Sequence, residues 1–95
     1  MPLSGAEVFV AKLQRHNRLV LPKVVRWKHK IEAGELLRVS IELVESAFSR
    51  EVFLAKVTVD GRITVPKLHL QSLEQSLQKS VVGRVFRVEI SSGEA

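Results

Sequence analysis

A stretch near the start of this chain is written twice. Glu7-Val-Phe-Val-Ala-Lys12 returns 44 residues later as Glu51-Val-Phe-Leu-Ala-Lys56. The same offset carries Arg18 onto Arg62, Pro22 onto Pro66 and Lys23 onto Lys67, and matches Leu19, Leu21 and Val24 with Ile63, Val65 and Leu68. Past the prolines the offset becomes 49, aligning Gly34-Glu-Leu-Leu-Arg-Val-Ser-Ile41 with Gly83-Arg-Val-Phe-Arg-Val-Glu-Ile90. The second copy thus carries five more residues between its proline and its glycine. A unit of about forty residues is too small to bury its own apolar face, so the two copies must complete each other. The 95 residues read as one domain of two repeats, 7–45 and 51–91.

Each copy predicts the order β-β-α-β. Glu7 to Gln14 is rich in Val, Phe and Leu, as a strand should be. A polar turn follows, Arg15-His-Asn-Arg18 in one copy and Val59-Asp-Gly-Arg62 in the other, the second with the Asp-Gly pair of a tight hairpin. Short strands at Leu19–Leu21 and Ile63–Val65 lead to Pro22 and Pro66, which suit the first turn of a helix. In the first helix Val24, Trp27 and Ile31 form an apolar stripe expected to face the core, with Gly34 as a left-handed cap. In the second the stripe is Leu70, Leu73 and Leu77, and the insertion lengthens the helix toward Lys79. Leu36–Val44 and Val85–Ile90 supply the third strands, and Glu45–Arg50 reads as a short link. The expected fold is mainly β with two short helices: a closed six-stranded, pseudo-twofold barrel of interleaved β-β-α-β repeats.

Charge is the second constraint. Fifteen Lys and Arg against ten Asp and Glu give +5, and the excess is local. From Lys12 to Lys30 stand seven basic residues (Lys12, Arg15, Arg18, Lys23, Arg26, Lys28 and Lys30) and no acidic one. The matching stretch of copy two keeps Lys56, Arg62 and Lys67 but adds Asp60 and Glu74. Such a block suits a polyanion partner; a solvated basic surface is the plainer alternative. Zero cysteines exclude a disulfide scaffold and thiolate metal sites. No apolar run approaches the roughly 20 residues that span a bilayer, and Met-Pro-Leu-Ser-Gly-Ala-Glu lacks the features of a secretory leader. A cytoplasmic protein without membrane contact is expected.

These residues carry a resemblance. Phe9-Val-Ala-Lys12, Arg18-Leu-Val-Leu-Pro-Lys23 and Gly34-Glu-Leu-Leu-Arg-Val39 resemble the AbrB/SpoVT family of prokaryotic DNA-binding domains, and Phe53-Leu-Ala-Lys56, Asp60-Gly-Arg-Ile-Thr-Val-Pro-Lys67 and Gly83-Arg-Val-Phe-Arg-Val88 resemble it again. The resemblance covers nearly the entire chain. In that family one such unit is usually a whole subunit, so two units in one chain imply a monomeric pseudo-dimer; further self-association stays open. The fourth strand common in the family is missing here. The duplicated unit is therefore similar to the RIFT-type relative among the cradle-loop barrels, with the swapped-hairpin AbrB barrel as the alternative. The family implies double-stranded DNA as partner and transcription regulation as role. Its contacts fall on the first hairpin and following helix, here Arg18 and Arg26, with Lys12 on the first strand. An arginine common before that lysine is replaced by Ala11 and Ala55.

The remaining candidate groups read as structural. Trp27 in register with Val24 and Ile31 favours core packing over stacking. His16, His29 and His69 lack metal-site spacing, and Asp60, the chain's one aspartate, fits a turn. No catalytic constellation or cofactor motif is present, so an enzyme is not expected. The rival readings are a barrel holding a nucleotide or other phosphorylated small molecule, and a non-catalytic interaction module. Under the DNA reading Arg18 and Arg26 matter more than Arg62.

Overall fold

The computed structural model describes residues 5–93, and within these the backbone alone for residues 47–49. The elements are β1 (Glu7–Lys12), β2 (Arg18–Val20), α1 (Lys23–His29), β3 (Leu36–Leu43), β4 (Ser46–Lys56), β5 (Arg62–Thr64), α2 (Lys67–Leu77) and β6 (Val85–Ser92), with a 3-10 turn at Arg15–Asn17. The β-β-α-β order occurs twice. Four strands form one antiparallel sheet in the order β1-β6-β3-β4, while β2 and β5 pair as a separate two-stranded ribbon.

The repeats are joined by mutual pairing. β1 of the first pairs with β6 of the second, β4 of the second with β3 of the first, and β3 and β6 lie side by side. Repeat mates face each other at two places: Ser40 opposite Glu89 in the sheet, and Leu19 opposite Ile63 in the ribbon. A pseudo-twofold axis therefore passes through both. Loop contacts obey it as well. Leu13 N–H donates to Arg84 O and Val57 N–H to Glu35 O, while Gly83 and Gly34 N–H groups return to Leu13 and Val57 carbonyls.

Period-two alternation builds the core. Leu37, Val39, Ile41 and Leu43 on β3, with Phe86, Val88 and Ile90 on β6, lie on one face without solvent exposure. The ribbon covers that face with Leu19 and Ile63, flanked by Leu21 and Val65. Helix α2 adds Leu70 and Leu73.

The expected closed barrel, whether of the RIFT or the swapped-hairpin kind, is not formed. Each ribbon strand has three residues and runs within two residues into Pro22 or Pro66, which has no N–H for a ladder. The ribbon packs on the sheet by its side chains and leaves β1 and β4 as sheet edges. Nor is Glu45–Arg50 a mere link, since β4 begins at Ser46 and forms a hairpin with β3.

Two helix readings also need correction. Val24 and Trp27 are each 72% exposed, whereas Val25 is 7% exposed and Ile31 is buried. The inward positions of α1 are the repeat mates of His69, Leu70 and Leu73, namely Val25, Arg26 and His29. Arg26 and His29 are half-buried through their stems and rings, so polar residues occupy the inner face. The helix ends at His29, with Lys30 as its left-handed residue (φ 51°); Gly34 (φ 87°) turns the chain later, just before β3. The helix α2 has 11 residues against 7 in α1, which absorbs most of the insertion.

This phase of α1 is testable. Val25→Ala should cost about 1–2 kcal/mol in urea unfolding, Val24→Ala less than about 0.5 kcal/mol, and Phe86→Ala about 3–5 kcal/mol.

Candidate nucleic-acid interface

The ribbon has two unlike faces. Leu19 and Ile63 point into the core, and Arg18, Val20, Arg62 and Thr64 point outward. In register Arg18 lies opposite Thr64 and Val20 opposite Arg62, so the two arginines sit diagonally about the pseudo-twofold axis.

A single turn gathers three arginines. Asp60 Oδ2 lies 3.0 Å from Arg62 Nη1 and 3.7 Å from Arg18 Nη1. Arg26, from α1, donates through Nε to Leu21 O at 3.3 Å and lays its guanidinium against Gly61. A Cβ at Gly61 would come within 2.6 Å of that guanidinium, and the residue's φ of 76° already favours glycine. The Thr58 hydroxyl donates to Asp60 and, with the charges of Arg62 and Arg18, holds the Asp60 carboxyl below the usual aspartate range. Two guanidinium groups share the Asp60 carboxylate and the third lies against the neighbouring Gly61, which leaves an uncompensated positive charge at the turn.

The other candidates are distributed differently. Arg15 stands in the 3-10 turn, the mate of Val59, and Lys23 and Lys67 open the two helices. Lys12 and Lys56 end the edge strands β1 and β4, where lysine also discourages further strand pairing. Lys28 lies 3.5 Å from Glu7 Oε2 at the far end of α1, and Lys30 occupies the cap. Among the described residues Lys12, Arg15, Lys23, Lys30, Lys56 and Lys67 have no carboxylate partner. Arg18, Arg26 and Arg62 are therefore brought together, while Lys28 is neutralised elsewhere. At the ribbon Asp60 of the second repeat lies within reach of both Arg62 and Arg18.

Two histidines have partners that sequence order conceals. His29 Nε2 donates to Glu7 Oε2 at 2.8 Å, and His69 Nδ1 to Glu51 Oε1 at 2.8 Å. Glu7 and Glu51 are repeat mates, but the histidines come from different helical positions. Each pair ties the helix of a repeat to its first strand. No group of three metal-ligating side chains occurs among the described residues, and none of their helices is long and apolar enough to cross a membrane.

Comparison with protein-family models and with curated proteins finds no match. Among solved structures, the chain is similar to the solution structure of PHS018 from Pyrococcus horikoshii. The two are 21% identical with a TM-score of 0.72, over 93% of this chain and 95% of that one. At that identity the likeness concerns the fold alone.

The Glu7–His29 pair has a pH consequence. The His29 hydrogen bond, opposed by desolvation and aided by Lys28, holds the Glu7 carboxyl below the usual glutamate range. A carboxyl depressed by folding stabilises the protein above its unfolded pKa, about 4.3, and loses that contribution as pH falls through the folded value. Glu7→Gln should lower the urea midpoint at neutral pH. The gap from the wild type should close as pH falls through the folded value and the Glu7 carboxyl is protonated.

Proposed function

We propose that this chain binds double-stranded DNA through the outward face of the β2–β5 ribbon, as a cytoplasmic transcriptional regulator of the AbrB-like class. The observation that carries the reading is the convergence of Arg18, Arg26 and Arg62, from three elements and both repeats, around the Asp60-Gly61 turn. A two-stranded ribbon fits the width of a DNA major groove, and arginine forks onto phosphate oxygens or a guanine edge. Arg15 and Lys23, which flank the first repeat's ribbon strand and have no carboxylate partner among the described residues, add phosphate contacts. Binding displaces condensed counterions, which makes affinity steeply salt-dependent.

Asp60 opposes that binding, because it already supplies two of the arginines with a carboxylate. Arg62 lies nearer to it than Arg18 does, and Arg26 touches no carboxylate among the described residues. Arg18 and Arg26 therefore hold more free charge for phosphate than Arg62.

Titration with duplex DNA over a salt series tests the reading. Affinity should fall with log salt at a slope of about −3 or steeper for three or more phosphates. Arg18→Ala and Arg26→Ala should each flatten the slope by about 1, and weaken binding more than Arg62→Ala. Asp60→Asn should tighten binding roughly three- to tenfold at low salt. No binding by micromolar protein at low salt would end the proposal.

A further inference from the structure

The chain's one tryptophan stands in water. Trp27, on α1, is 72% exposed, and Val24 one turn earlier is exposed to the same degree. Indole carries a large apolar face and rarely remains this bare unless it meets a partner. The repeat mate of Trp27 is Gln71, so the second helix presents no aromatic ring at this place. The feature belongs to the first repeat, as the acid-free basic block does.

Its surroundings select the chemistry of the occupant. Lys23 lies one helical turn before Trp27, and Lys30 follows at the left-handed cap; neither has a carboxylate partner among the described residues. Arg26, the preceding residue, reaches inward onto Leu21 O and the Gly61 turn, so α1 carries both the indole and one arginine of the cluster. An uncharged protein surface would satisfy the indole and strand the ammonium groups. A fully paired duplex would satisfy the ammonium groups, but it keeps its base faces stacked inside. A strand with unpaired bases offers phosphates and open aromatic faces together.

We propose that Trp27 is a stacking platform for an unpaired base of single-stranded DNA, with Lys23 and Lys30 on the adjoining phosphates. The inference rests on the DNA reading of the ribbon and extends it from paired to unpaired substrate.

Because Trp27 is the sole tryptophan, intrinsic fluorescence reports this site alone. Dye-labelled oligothymidylate and a fully paired duplex, each of about 20 nucleotides per strand to cover more than one site, are titrated into the intact protein. Anisotropy gives affinity, and tryptophan emission gives stacking. The single strand should quench Trp27 and the duplex should not. Trp27→Ala should weaken single-strand binding roughly 5- to 100-fold, the range of one base–aromatic stack, and leave duplex binding within about twofold. Trp27→Phe should restore part of the loss. Duplex binding that persists beside a single strand bound without quenching, or bound equally well by Trp27→Ala, would overturn the stacking platform and spare the ribbon reading. Failure of both oligonucleotides to bind at low salt would overturn both.

Discussion

Strand pairing between the repeats is the interaction on which the rest depends. Among the described residues β1 has no ladder partner but β6, and β4 none but β3. Neither half can therefore reach its own sheet, and the apolar faces of β3 and β6 meet only because the halves fold together. The pseudo-twofold axis follows from that pairing, with Ser40 against Glu89 and Leu19 against Ile63. It also sets the arginine cluster: the axis that brings β2 beside β5 brings Arg18 near Arg62 and puts Arg26 of one repeat over Gly61 of the other.

Ion pairs form on both sides of the molecule. On the outer face of the sheet Arg50 meets Glu89 at 3.4 Å and Arg87 meets Glu42 at 3.7 Å, while Arg84 pairs with Glu45 in the loops beyond. Lys12, Arg38 and Lys56 share that face without a carboxylate partner among the described residues, so positive charge there is matched only in part. At the ribbon Asp60 lies between Arg18 and Arg62, and Arg26 rests on Gly61 without a carboxylate partner among the described residues. Exposed pairs of this kind contribute little stability individually, so the distribution matters chiefly for the field the protein presents.

The repeat made much of the architecture legible. Offsets of 44 and 49 residues anticipate the element order, the longer second helix, and the dependence of one half on the other. Closure was not legible, because alternating apolar residues look alike in a barrel wall and in a sheet covered by a ribbon. The three-residue strands ending near Pro22 and Pro66 were the available warning. The phase of α1 misleads for a specific reason. Arg26 and His29 face inward, so the remaining apolar residues, Val24 and Trp27, mimic a core stripe from outside. Transferring the Leu70–Leu73 phase across the 44-residue offset would have corrected it. The basic block was visible in the sequence. Its convergence with Arg62, and the Glu7–His29 and Glu51–His69 pairs, depend on contacts between distant segments that spacing does not encode.

Amide chemical-shift mapping of the labelled protein with unlabelled duplex DNA tests the central claim most directly, since it locates the contact without altering a residue. The account predicts that perturbations centre on the ribbon, the Asp60-Gly61 turn and the start of α1, and spare the outer face around Ser40 and Glu89. Perturbations centred on that outer face, or none at saturating DNA, would contradict it.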